Sequence, residues 1–243
     1  MTINPLVIRD QAVYFDGYDL QNRTKTVGIN YASGIADATT LGNTSVLNLP
    51  TIKKITAAVD GFASFDTTDL ALFNAISQYD KAMTFSAKDD TDGSPSYFFN
   101  SAVADLKLGG KVGDVFPFAI SADSSHDPLI QATIMMQSRA AALTTTTAGT
   151  GRQLGAVAAG KKLYCCLHGW QVGTGSLTLT IESDSTNSFS GAQTVRITHT
   201  ALSAIGAEIK NVAGAITDTW WRVKATISGG APSFKIIASL GIY

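Results

Sequence analysis

Glutamate is absent from the first 181 residues of this 243-residue chain, and only Glu182 and Glu208 follow. The glutamate pair used by most glycosidases is therefore excluded from the first three-quarters, and no spacing nominates an aspartate pair instead. Histidine is equally scarce. His126, His168 and His199 lie far apart, none at zinc-ligand spacing. The triad letters of Ser124-Ser125-His126-Asp127 stand side by side in a turn-like stretch, whereas a triad draws its members from separate segments. No phosphate-cradling glycine loop or nucleophile elbow is present. No enzymatic activity, metal or cofactor is expected.

Cysteine amounts to the neighbours Cys165 and Cys166. On a strand they point to opposite faces and make a poor mutual bridge. This excludes a disulfide framework and suits folding in a cytosolic compartment. The opening Met1-Thr2-Ile3-Asn4-Pro5 has neither the basic region nor the apolar run of a signal peptide. No apolar run approaches the roughly 20 residues that span a membrane, so a soluble protein without membrane contact is expected.

Charged residues make up 15% of the chain against 45% hydrophobic. Thr, Ser, Ala and Gly fill the gap, which favours an all-β chain with uncharged surfaces of the kind that meet other protein. The charge is unevenly spread. Residues 1–142 carry ten Lys or Arg against fifteen Asp, a net of −5, and residues 152–243 carry eight against four acids, a net of +4. Gripping phosphate needs clustered Lys and Arg, which neither half supplies.

Residues 1–19, where Pro5 and Gly17 limit regular structure, read as a terminal arm. Its apolar anchor, Val13, Tyr14 and Phe15, packs on its own domain or on a neighbouring subunit. Residues 20–139 read as a first β domain. The run Lys25–Tyr31 alternates as a strand, and Ile55, Ala57 and Val59 share a face of a second one that closes at Gly61-Phe62. Between them lies the polar stretch Asp37, Ala38, Thr39, Thr40, Leu41, Gly42 and Asn43. It is too polar for a core and too varied for a spacer, and so reads as a long hairpin loop reaching towards something else. Asp66 to Asp69 supplies N-cap candidates for a helix over Asp69–Tyr79, whose stripe of Leu70, Phe73 and Ile76, with Leu72 and Tyr79, is expected to cover one face of the sheet.

Further strands are expected over Lys81–Ala87, Tyr97–Leu108, Val112–Ala122 and Leu129–Met136. Asp89 to Pro95 is a turn; its three aspartates lack the distal Glu of a calcium loop. Pro117 implies an edge or bulge. The fold class is mainly β: an N-terminal β-sandwich or partly closed barrel with one flanking helix. Residues 140–151 form an Ala/Thr/Gly linker. Residues 152–243 form a C-terminal immunoglobulin-like or jelly-roll sandwich. Trp170 and Trp220 are its candidate surface aromatics for stacking on a sugar, set against ordinary packing at the core or rim.

The order of these features over residues 15–138 resembles the tail tube (major tail) proteins of long-tailed bacteriophages. The resemblance rests on the strand Lys25–Tyr31, the polar loop Asp37–Asn43, the strand ending at Gly61-Phe62, the helix Asp69–Tyr79, and Gly113 to Ala122. It implies a subunit that assembles with itself into hexameric rings, stacked into a channel through which DNA passes without specific binding. Other tail components would be its further partners, and the virion tail, assembled in the bacterial host cytoplasm, its location. The resemblance also makes Tyr31–Ser45 the loop between rings, residues 1–19 an arm, and residues 152–243 an outward decoration. The large C-terminal part departs from a minimal tube protein. It leaves open a head, neck or capsid-decorating role, or a carbohydrate- or receptor-binding module.

Overall fold

The computed structural model describes residues 11–42, 44–191 and 193–243. The protein is mainly β, with one short helix. In chain order the elements are β1 (Val13–Phe15), β2 (Tyr18–Asp19), β3 (Thr24–Asp37), β4 (Asn48–Phe62), α1 (Thr67–Asn74), β5 (Lys81–Ser86), β6 (Pro95–Leu108), β7 (Pro117–Ser124) and β8 (Ile130–Gln137). They continue with β9 (Thr147–Ala148), β10 (Arg152–Gln153), β11 (Lys162–Val172), β12 (Ser176–Asp184), β13 (Thr194–Thr198), β14 (Gly206–Ala213), β15 (Trp220–Ser228) and β16 (Phe234–Ile242).

These elements form two compact units, and the division does not follow the expected linker. One unit comprises residues 1–22, 81–99 and 130–243; the other comprises 23–80 and 100–129. The expected boundary at 140–151 is corrected by the pairing of that segment. Leu143 bridges to Phe234, and Thr147–Ala148 pairs with Lys224–Ala225. Small, uncharged Ala and Thr residues read as a spacer in sequence, yet they also fit closely against a strand. The C-terminal segment is likewise no independent sandwich, because β16 pairs with β8 from the first half.

The larger unit is a two-layer sandwich. One sheet runs β14-β11-β16-β8-β6-β5-β1-β2, entered by β6 through its first residues, and the other runs β10-β15-β12-β13 with β9 on β15. Period-2 alternation builds the core between them. Leu163, Cys165 and Leu167 of β11 and Ile236, Ala238 and Leu240 of β16 meet Leu177, Leu179 and Ile181 of β12 and Trp221, Val223 and Ala225 of β15. Trp221 is wholly buried, and its Nε1–H donates to the Gly155 carbonyl at 2.8 Å. That bond satisfies the polar end of the largest side chain in the core.

The other parity of β11 packs on the opposite face. Tyr164 and Cys166 join Ala82, Phe98 and Ile130, while Tyr14 joins Ile134 and Ile237. Gly17 closes the β1–β2 turn with φ 87°, and a Cβ there would lie 2.4 Å from the Gly206 nitrogen. Only glycine fits this position.

The smaller unit holds a four-stranded antiparallel sheet in the order β3-β4-β7-β6, the last through residues 101–108. Ile55, Ala57 and Val59 of β4 and Phe118, Ile120 and Ala122 of β7 are buried on one face. Helix α1 is joined to that sheet where Ile76 bridges to Val103, with the Ser77 N–H donating to the Val103 carbonyl. Pro117 opens β7, where a missing N–H is tolerated.

Candidate functional site

The distinctive geometry belongs to the β3–β4 hairpin. The register runs from Thr24↔Gly61 to Asp37↔Asn48, but β7 joins β4 only from Thr56 onward. Beyond that point the hairpin is two-stranded over about seven residue pairs, an overhang of roughly 23 Å at ~3.3 Å per residue. Both of its faces are exposed from Tyr31 to Asp37 and from Asn48 to Lys54. Isolated two-stranded hairpins are marginal in water. This one also carries apolar side chains with nothing beneath them: Ile35 is 72% exposed, Ile52 88% and Leu41 fully so.

Local chemistry holds the end of the hairpin in shape. Asp37 accepts from the Thr39 N–H at 2.8 Å and from the Thr39 hydroxyl. These bonds hold its carboxyl below the usual aspartate range. The Thr39 Oγ1 accepts the Leu47 N–H at 2.9 Å, and the Ala38 N–H donates to the Leu47 carbonyl at 2.8 Å. The expected loop Asp37–Asn43 is therefore displaced by one residue at its start, because Asp37 still pairs as the last residue of β3. Ala38, Thr39, Thr40, Leu41 and Gly42 form the outer part of the turn, and Asn43 lies outside the described residues.

At the other end of the same strand pair lies an apolar groove. It is lined by Ala63, Phe65, Leu70, Phe73, Leu106 and Leu108, with Leu72 and Phe118 at its floor. The helix stripe expected to cover one face of the sheet does so only in part. The helix has eight residues rather than eleven, so its buried positions are Leu72 and the C-cap Ala75. Leu70 and Phe73 stand exposed as a ridge beside the groove, and Tyr79 is exposed beyond the helix. Asp66 caps α1, accepting from Thr68 N–H and Asp69 N–H. Arg23 meets Asp66 at 2.6 Å and Asp69 at 2.9 Å. The hydrogen bond from Arg23 is the main reason the Asp66 carboxyl is held low.

The remaining expected site residues are not brought to this surface. Val13, Tyr14 and Phe15 form β1, paired with β5 and buried almost completely. They are core residues of the larger unit and not contacts to a neighbour, because one β-branched and two aromatic residues in a row suit a strand covered on both faces better than a free arm. Residues 1–10 of the expected arm lie outside the described residues. Trp170 on β11 is half-buried with its ring 5.1 Å from that of Tyr14. Trp220, also half-buried, is on β15 in the other sheet. Members of two different sheets do not make one stacking platform.

The polar clusters are spent on structure. The Gly17 N–H donates to His168 Nδ1 at 3.2 Å, so the proton sits on Nε2, 2.8 Å from the Thr84 hydroxyl. Thr84 also lies 3.3 Å from the Cys166 sulfur. Burial lowers the His168 pKa to about 3 and raises that of Cys166 to about 12, so both are neutral near pH 7. His199, also buried, meets Glu208 at 3.0 Å, with its own pKa lowered to about 4 chiefly by burial. Exposed His126 sits between Asp80 at 2.9 Å and Asp127 at 3.4 Å. Among the described residues no cluster of three or more His, Cys, Asp or Glu is arranged to hold a metal, and no helix is long and apolar enough to cross a membrane. The aspartates of the Asp89–Pro95 turn are engaged by neighbours: Asp89 takes the Thr91 and Ser94 hydroxyls, and Asp90 takes Tyr14 and Arg139.

No protein-family model and no curated protein matches the sequence. Solved structures of virions and of tube-bearing injection systems are similar to it. One is a chain of the virion of a native gene transfer agent particle, at TM-score 0.40 and 12% identity over 50% of this chain and 95% of that one. Another comes from the sheath–tube complex of PVC, an extracellular contractile injection system, in its extended state, at 0.41 and 15% over 53% and 92%. A third is the Dit (gp 19.1) protein of SPP1, a hub of the adsorption apparatus in phages infecting Gram-positive hosts, at 0.36 and 12% over 97% and 100%. Likenesses at these scores decide neither fold nor function, which rest on the geometry above.

Proposed function

We propose that this chain is a structural subunit of a bacteriophage tail, assembling with itself into hexameric rings that stack as a tube around a DNA channel. The overhanging β3–β4 hairpin carries the reading. A two-stranded projection with apolar side chains on bare faces gains stability by docking against protein, and it is of little use to a monomer.

The sheet beneath it supports the same reading. Among the described strands, β3 pairs with β4 alone. An edge strand of 14 residues is a template for a neighbouring copy, and joining such edges in a closed ring removes them. The face opposite α1 presents Thr26, Gly28, Asn30, Ala58, Asp60, Ser121, Asp105 and Asp123 beside Lys54 and Lys107. Counting Lys25 beside Asp60 and Lys107, three carboxylates meet three amines there, with Lys54 paired to Asp123, so no excess of positive charge is offered to phosphate. A wall that DNA slides past needs that property.

Electron microscopy of the purified protein at rising concentration tests the proposal. Rings or tubes are expected. A chain that stays monomeric at high concentration overturns it.

A further inference from the structure

The β3–β4 hairpin is interrupted at one point along its overhang. From Thr26 to Ser33 its ladder runs unbroken against Lys53–Asp60, and from Ile35 to Asp37 it runs against Asn48–Pro50. Between the two ladders Gly34 alone stands opposite Thr51 and Ile52, a bulge with its extra residue on β4. The extra residue also reverses the alternation. Lys53 shares a face with Ile55, and unbroken alternation would put Leu49 there too. Beyond the bulge Pro50 takes that face, opposite Ile35, and Leu49 takes the other.

Three things that stiffen a strand pair are missing here. Strand β7 joins β4 only from Thr56, so no third strand among the described residues flanks the bulge. Ser33, Gly34, Thr51 and Ile52 are exposed, so no core holds either face. The ladder itself is interrupted, and the Ser33 hydroxyl crosses the gap to the Thr51 carbonyl at 3.0 Å. Each side, by contrast, is held by its own bonds. Inward lies the four-stranded sheet. Outward, the Ala38 N–H meets the Leu47 carbonyl at 2.8 Å, and Thr39 Oγ1 accepts the Leu47 N–H at 2.9 Å.

We propose that this bulge is a joint, about which the hairpin end swings as one piece while the ladders on both sides stay paired. Gly34 suits the pivot. A Cβ there would lie 2.3 Å from Thr51 Oγ1, and a glycine backbone has the widest range open to any residue. Bending at this point costs at most the Ser33 bond, whereas bending elsewhere in the hairpin breaks ladder pairs. The joint stands on the hairpin geometry and not on the tail-tube reading. What it adds to that reading is tolerance. In an assembly that flexes, a jointed arm keeps its contact as the angle changes, and a rigid one loses it.

A disulfide across the joint tests this. A Cβ at position 34 would lie 3.7 Å from the Thr51 Cβ, a separation that a disulfide spans, and the native Cys165 and Cys166 are buried. Nitrogen-15 relaxation of the full-length chain at low concentration reads the motion. In the unmodified protein the amides of residues 35–42, with those of Asn48 and Leu49, are expected to share an order parameter below about 0.6, stepping up to about 0.85 for Thr26–Ser33. Oxidising the Gly34→Cys/Thr51→Cys chain should remove the step, and reduction should restore it. If the double-cysteine chain does not fold, Gly34→Val with Thr51→Ala narrows the pivot and should shrink the step about twofold. A hairpin end as ordered as its base, a gradual loss of order with no step at Gly34, or a step that these changes leave as it was overturns the joint, whether or not rings form.

Discussion

Arg23 Nη2 lies 2.6 Å from Asp66 Oδ2, so the residue that enters β3 grips the residue that caps α1. The same guanidinium reaches Asp69 at 2.9 Å. The helix is two short turns long and buries Leu72 and Ala75, and this clamp adds to the Ile76–Val103 bridge that joins it to the sheet. Arg23→Ala is expected to cost about 1 kcal/mol, in the range of a well-formed but partly exposed ion pair. Asp66 has a lowered pKa, so its share of the clamp is full above the ordinary aspartate value of 3.8 and is lost as pH falls through the lowered one. Denaturant unfolding of wild type and variant should differ at pH 7 and converge in strong acid.

Acid should also weaken the larger unit through its buried histidines. Burial depresses the His168 pKa to about 3 and that of His199 to about 4. The unfolded chain, with ordinary imidazoles, then binds protons that the folded one refuses. Stability is at its plateau above about pH 6.5, declines as pH falls, and levels off below about pH 3. His168→Gln, which does not titrate, should flatten the part of the decline that lies between these values. A melting-temperature series against pH reads the difference, and parallel curves for variant and wild type would dismiss His168 as its source.

Glu182 is buried, with Arg222 at 2.6 Å and Lys224 at 4.0 Å as charge partners. Arg222 in turn stacks over the Phe189 ring at 4.4 Å. Glu182→Ala removes the carboxylate and strands a partly covered guanidinium. A loss of about 3 kcal/mol is expected in urea unfolding.

Deleting Asp37–Asn43 removes the end of the hairpin and leaves every strand pair from Ile35↔Pro50 inward. Rings should persist with an unchanged unfolding transition, and stacks should be lost. Tubes of ordinary length in micrographs of the deletion would remove this segment from any role in stacking.

Strand content was readable wherever apolar residues alternate against a covered face, as at Ile55–Val59, Leu177–Ile181 and Phe234–Ile242. Strand β14 was not, because the half-buried Glu208 and Lys210 and the exposed Asn211 hide the alternation. The polar hairpin end was legible from composition, but the apolar groove beside α1 was not. Leu70 and Phe73 have the spacing of core residues, and only a helix as short as α1 leaves them outside. The linker misled for a related reason. Ala140 to Gly151 has a spacer's composition, and nothing local in it records that Phe234 and Lys224 will pair with it from some 75 to 90 residues away.

The larger unit is built from three separate lengths of chain, with the smaller unit made from the two lengths between them. This fixes an order in time. As the chain leaves the ribosome, the smaller unit has all of its residues once position 129 has emerged. The larger one cannot complete its main sheet until β16, the strand joining β8 to β11, has followed. Until then Tyr14, Phe98 and Ile134 wait uncovered, and their protection falls to whatever attends the nascent chain.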